Sequence, residues 1–160
     1  MSKANALPET ANRVQLALHK AGLTISVRQV RASTRTAEEA AAVIGCDVGQ
    51  IVKSMVFRGC ESGRAYLILA SGTNRVDENK RSLLLGERIE QATPVFVREK
   101  TGFAIGGVPP LGHSSQIPTW MDQALLPFQT LWASAGSPHA VFSITPKDLA
   151  QVTFASLIEL

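Results

Sequence analysis

Cysteine is scarce in this chain. Cys46 and Cys60 are the only two in 160 residues, and the three histidines stand apart at positions 19, 113 and 139. Neither set has metal-ligand spacing, which argues against a structural zinc site. No cofactor or metal is expected. Charged residues make up 18% of the chain, and no run of lysine or arginine occurs, which disfavours a DNA-wrapping or tail-binding mode. No recognition-helix pattern is present, so DNA is not an expected partner. Long apolar runs are also missing, so no membrane span is expected. The first eight residues, Met1 to Pro8, lack the apolar core of a signal peptide. A cytoplasmic protein is therefore expected, and a disulfide is not.

What is present is ordinary for a folded domain. Hydrophobic residues make up 45%, and the length suits one domain spanning residues 1–160. The formal net charge of +3 is mildly basic and compatible with a nucleic-acid partner. There is no internal repeat and no dividing linker.

The patterning predicts interleaved helices and strands. Residues 9–21 carry a helical apolar stripe through Val14, Leu18 and Ala21. Residues 25–30 alternate like a strand. Thr36-Ala37-Glu38-Glu39 reads as a capping box opening a helix to Ile44, and Asp47 to Gln50 opens a short turn through Val52. Strands are expected over 54–58, 65–70, 125–133 and 140–144. Helices are expected from Asp77 to Leu85, from Thr93-Pro94 to near Gly102, and from Thr145-Pro146 onward. The rhythm is not strictly β-α-β. The fold class is therefore mixed α/β, with a curved, barrel-like mixed sheet and helices outside it.

Three places stand out for chemistry. Gly106-Gly107-Val108-Pro109-Pro110-Leu111-Gly112-His113 is too rich in glycine and proline for a helix or central strand. Such a stiff loop suits a site where backbone amides grip a small polar group. Lys53 follows a turn and opens an apolar strand, where its ammonium could hold a phosphate or a developing oxyanion. The competing reading is a surface lysine snorkelling off a half-buried strand. Ser54 beside it offers a hydroxyl to orient a substrate, or is merely a strand-edge serine. Asn74 flanks a loop-to-helix junction and reads equally as a turn residue. Ser134-Ala135-Gly136-Ser137-Pro138-His139 is a second small polar turn. If it lies beside the Gly106-Gly107 loop, hydroxyl, amides and imidazole converge, and His113 or His139 could serve as a polar contact or proton carrier. No Gly-x-Ser-x-Gly elbow, Walker loop or dinucleotide fingerprint occurs.

In order along the chain, several segments resemble the YbaK/EbsC-type aminoacyl-tRNA editing family, related to the insertion domain of bacterial prolyl-tRNA synthetases. They are Thr36–Ala41, Ile51–Phe57, Tyr66–Gly72 with Asn74–Asp77, Gly102–His113, Ser134–Gly136 and Ile144–Leu149. The resemblance spans nearly the whole chain and implies a YbaK-like fold. It implies hydrolysis of the ester joining a wrong amino acid to the 3′ end of a tRNA.

On this resemblance, Lys53, Gly106 and Gly107 are the expected catalytic residues. Ser54, Asn74, His113, Ser134, Gly136 and His139 are expected to contact substrate. Phe57, Val108, Pro109 and His139 are candidate pocket walls. Val108-Pro109 stands where many members carry Ser-Pro, so a hydroxyl near the site is missing. An aminoacyl ester is already activated, so a protein nucleophile is not required. The implied partners are the aminoacyl-tRNA acceptor end and prolyl-tRNA synthetase. The expected substrate is tRNA-Pro carrying a small wrong amino acid such as cysteine or alanine. The alternative is a non-catalytic module that binds the same aminoacyl end or docks on a synthetase.

Overall fold

The computed structural model describes residues 7–160; the leaderless reading of the N-terminus falls largely on residues 1–6, outside that range. Helix α1 (Glu9–Lys20) buries Ala11, Val14 and Leu18, the stripe its periodicity indicates. The short strand β1 (Arg28–Gln29) follows. Helix α2 (Ala37–Ile44) opens on a true capping box. Thr36 Oγ1 accepts from Glu39 N at 3.1 Å, and Glu39 Oε1 accepts from Thr36 N at 3.2 Å. A 3-10 turn over Val48–Gln50 leads directly into β2 (Ile51–Gly59), which hairpins into β3 (Ala65–Ser71).

Next come α3 (Glu78–Leu85), β4 (Ile89–Gln91), α4 (Pro94–Thr101) and β5 (Thr119–Asp122). The chain ends with β6 (Leu131–Ser134), β7 (Ala140–Ile144), α5 (Pro146–Thr153) and β8 (Ser156–Ile158). Asp77, Thr93 and Thr145 each cap the helix assigned to them from sequence.

The strands form one mixed sheet in the order β1-β7-β6-β2-β3-β5-β8, with β4 also paired to β2. β6 runs parallel to β2, and β5 runs parallel to both β3 and β8; the other pairs are antiparallel. The mixed α/β class is as expected. The sheet does not close into a barrel, because β1 and β8 are its free ends and are only two and three residues long. β3 is buried along its whole length, as its apolar run indicates. One face of the hairpin packs Val52, Val56, Leu67 and Leu69 into the main core. The other packs Met55, Phe57, Tyr66 and Ile68 into a smaller cluster.

Three expectations fail locally, and two short strands carry no signal in the sequence. The strand expected over 25–30 shrinks to Arg28–Gln29, the only residues that pair with β7. The strand expected over 125–133 is a 3-10 turn at Gln123–Leu125 followed by β6, with Pro127 between them. The turn expected through Val52 stops at Gln50, so Lys53 lies inside β2 rather than at its end. β4 and β5 were not read at all; they are short, and their apolar residues are too few to show a period of two.

One feature of the sheet positions everything below. β6 pairs with β2 only at Ile51 and Val52, and β4 pairs with the same edge only at Phe57, Arg58 and Gly59. Between Lys53 and Val56 the edge of β2 has no strand beside it. The sheet is split there. Among the described residues, no helix is long and apolar enough to cross a membrane.

Candidate functional site

A cleft of about 820 Å³ occupies the split. Lys53, Ser54, Met55 and Val56 form its floor. Gln91, Ala92 and Val97 bound it on the β4 side, and Trp132, Ala133 and Ser134 bound it on the β6 side. Ile105, Gly106 and Val108 cover one flank, while Thr34–Glu38 and Thr73–Arg75 make the mouth. This volume is ordinary for a small-molecule site.

Lys53 is half-buried, and its Nζ donates to the main-chain carbonyl of Asn74. An ammonium has three donors, so two remain to face the cleft. Burial pushes its pKa down from the ordinary lysine value; the charge of Arg75 adds to this, while Glu38 and Asp122 oppose it. Asn74 is itself fixed, because its Nδ2 donates to Asp122 Oδ2 at 2.8 Å. Asp122 is 1% exposed and also accepts from Ser71 N at 3.0 Å and Ala124 N at 2.9 Å. A buried carboxylate satisfied by several donors is a firm anchor. Asp122 escaped the sequence reading. Its local signal is that of a cap for the turn after it, and nothing in the chain marks a partner 48 residues away.

The Gly106-Gly107 loop does reach the site, with a division of labour between the two glycines. Gly106 lines the cleft with φ +94°, a conformation that side chains disfavour. A Cβ there would also meet Arg35 Nε at 3.1 Å. Gly107 lies behind it, buried, and its N–H donates to Ala104 O at 3.1 Å. That amide is spent on the loop itself and is not offered to a ligand. A Cβ on Gly107 would come within 2.6 Å of Ser137 Cα, so this glycine lets the two polar turns touch.

The expected convergence is thus partial. Lys53, Ser54, Asn74, Gly106, Val108 and Ser134 line one cleft. Phe57 does not, because it lies beyond the split, where β4 pairs with it, and it is 1% exposed in the smaller cluster. Pro109 is buried, and its carbonyl accepts from His113 Nε2 at 2.7 Å. That bond and edge contact with Phe103 hold His113 away from the cleft. Burial pushes the His113 pKa down despite the Pro109 bond, so the ring stays neutral at neutral pH. Gly136 is buried against the backbone of Thr10. His139 is exposed, and its carbonyl accepts from Val30 N at 2.8 Å; its ring is not part of the cleft lining. Neither histidine is therefore placed as a proton carrier at this floor.

Among the described residues no group of three or more His, Cys, Asp or Glu could hold a metal ion. The polar equipment includes one lysine, two serines (Ser54 and Ser134), the amides of Asn74 and Gln91, and, at the mouth, threonine hydroxyls, the Glu38 carboxylate and two exposed guanidinium groups, Arg35 and Arg75. That set can bind phosphates and stabilise an oxyanion. It offers no activated nucleophile.

Residues 31–152 match the aminoacyl-tRNA editing domain family. The chain belongs to that family. A solved structure described as "a putative trans-editing enzyme for prolyl tRNA synthetase" superimposes with a TM-score of 0.91 at 51% identity, covering 97% of this chain and 98% of the other. A proline–tRNA ligase of Bacillus licheniformis is 34% identical over 128 residues, 78% of this chain but 22% of the ligase. The Enterococcus faecalis protein named "Putative Cys-tRNA(Pro)/Cys-tRNA(Cys) deacylase EbsC" is 26% identical over 127 residues, covering 74% of this chain and 77% of that protein. The family and the YbaK-like fold are those expected from sequence. The chain is an editing enzyme, a hydrolase of the aminoacyl-tRNA deacylase class.

Proposed function

We propose that this chain is a free-standing trans-editing hydrolase that removes a small wrong amino acid, alanine or cysteine, from tRNA-Pro in the cytoplasm. The observation that carries the reading is the split sheet. It sets the Lys53 ammonium and the Gly106 backbone around one cleft that is open to solvent at a cationic mouth. Likeness to a ligase segment and to a trans-editing enzyme supports tRNA-Pro and prolyl-tRNA synthetase as partners.

The chemistry follows from what the cleft contains. Water adds to the ester carbonyl carbon, and the carbonyl oxygen takes up negative charge. The ester C–O bond then breaks, and the ribose oxygen leaves with a proton. Lys53 Nζ and the Gly106 N–H stabilise the oxyanion or hold the neighbouring ribose phosphate. Arg35 and Arg75 receive the acceptor-end phosphates, so binding weakens with salt. Val108, Ala92 and Val97 narrow the apolar end, and a larger amino acid is rejected by exclusion rather than by a missing contact.

The test is single-turnover release of amino acid from tRNA-Pro charged with proline, alanine, cysteine, serine or threonine. Selective release that depends on Lys53 is the expected result. Tight binding of charged tRNA without turnover would instead make this a binding module.

A further inference from the structure

The split sheet leaves a second set of polar atoms without partners. In the β2–β3 ladder, Gly59 N donates to Arg64 O at 2.9 Å, and Gly72 N donates to Ile51 O at 2.8 Å. Odd-numbered residues of β2 therefore turn both backbone groups toward β3, and even-numbered residues turn theirs to the opposite edge. Four residues face that edge: Val52, Ser54, Val56 and Arg58. Val52 pairs with Ala133 of β6, Arg58 pairs with Glu90 of β4, and Val56 O accepts from Ala92 N at 3.2 Å. Among the described residues, Ser54 has neither a strand nor a loop partner opposite it on that edge. Its hydroxyl is buried too, with no hydrogen-bond partner among the described residues. A buried polar side-chain atom is rarely left unpaired, and here it sits on a half-buried residue whose N–H and C=O lie on an uncovered strand edge, so this point of the cleft floor is open to a ligand.

An N–H and a C=O from one extended residue lie side by side, and their complement is a donor and an acceptor at the same spacing. An aminoacyl ester carries that pair, an α-ammonium and a carbonyl on adjacent carbons. We infer that the open edge of β2 at Ser54 binds the aminoacyl group as a one-residue strand, the Ser54 C=O accepting from the α-ammonium and the Ser54 N–H donating to the ester carbonyl. The inference rests on the cleft being the aminoacyl site and adds which atoms read the amino acid's common part. Recognition through backbone explains how one floor serves several small side chains. Identity is then set only by the apolar walls. It also predicts that esters lacking the α-amine are poor ligands.

The test uses the full chain, labelled with 15N, and two non-hydrolysable amides of 3′-amino-3′-deoxyadenosine, one alanyl and one propionyl. Alanyl amide is expected to shift the Ser54 and Val56 amide resonances and slow exchange of the Ser54 N–H. Propionyl amide, without the ammonium, should bind about tenfold or more weakly. Ser54→Ala, which keeps the backbone groups, should preserve the Ser54-position shift. Replacing residue 54 by its α-hydroxy acid, which removes the N–H alone, should weaken the alanyl amide by about tenfold. If Lys53 and Gly106 resonances move while Ser54 does not, the edge pairing is wrong and the cleft assignment stands. If the two amides bind equally, the ammonium contact is wrong. If no cleft resonance moves, both readings fail.

Discussion

The carboxylate of Asp122 governs the position of Lys53 without touching it. Asp122 Oδ2 accepts from Asn74 Nδ2 at 2.8 Å, and the main-chain carbonyl of Asn74 accepts from Lys53 Nζ. The loop after β3 is thereby pinned to the end of β5, and the lysine on β2 is pinned to that loop. The ammonium is held where the split opens, rather than left to sweep through solvent.

Lys53→Ala should leave the fold intact, because the side chain is only half-buried and the backbone pairing of residue 53 with Ala70 of β3 does not depend on it. Loss of a well-placed cationic donor should slow single-turnover deacylation by about a hundred- to thousandfold. Circular dichroism and rapid-quench assays on one preparation separate the two effects. Near-normal turnover would remove Lys53 from the chemistry.

Asp122→Ala should act on the same step at a distance. It strands the Asn74 amide and the Ser71 N–H, for a cost of about 1–3 kcal/mol in stability. It should also lower kcat more than it raises KM, since the lysine loses its fixed position but the walls remain. An unchanged kcat in a folded Asp122→Ala protein would show that Lys53 does not need this tether.

The two glycines should fail in different ways. Gly107→Ala forces the loop off the Ser137 backbone, so urea midpoint and deacylation should fall together. Gly106→Ala must hold a side chain at φ +94° and press on Arg35, so it should lose activity with a smaller loss of stability. Equal stability losses would contradict this division.

His113 should matter to stability and not to the pH–rate profile. Its folded-state pKa lies below the ordinary 6.5 because the ring is buried. Its contribution is therefore complete above that value and is lost as pH falls through it, when the unfolded chain takes up the proton first. Urea midpoints of wild type and His113→Asn should converge below that pH. A deacylation profile that loses its acid limb in the variant would instead make His113 a proton carrier.

Glu87 should contribute to acid sensitivity at the turn after β2. Bonds from Tyr66 Oη and from the hydroxyl and amide of Ser62 hold its carboxyl down at about 2. Its contribution is present above the ordinary carboxylate range and fades as pH drops toward about 2. Glu87→Gln should flatten the stability–pH curve between those limits. An unaltered curve would show that the turn after β2 is held by other contacts.

The helices were legible because their signals are local. Thr36 with Glu39, Asp77, Thr93-Pro94 and Thr145-Pro146 each complete a cap within one turn. The hairpin β2–β3 was legible as two apolar runs around a short polar turn. β4 and β5 were not, since three or four residues carry no reliable period, and their pairing is decided by where α3 and the 102–118 stretch return the chain. At the site, Lys53, Ser54, Asn74, Gly106, Val108 and Ser134 were named from the chain and do meet. Phe57, Pro109, Gly136, His113 and His139 were named on chemistry or likeness and are turned elsewhere by packing.

The sequence by itself determined the helix boundaries, the hairpin, the stiff glycine–proline loop and, through the ordered segments it shares with a family, the class of reaction. Those depend on residues close together in the chain or on their order. Only the tertiary structure decided that β6 and β4 leave β2 at different points, that Asp122 reaches Asn74, and that the Gly107 amide is already spent. Each of these depends on strands and loops brought together from distant parts of the chain, and a long-range pairing leaves no periodic trace in the sequence that makes it.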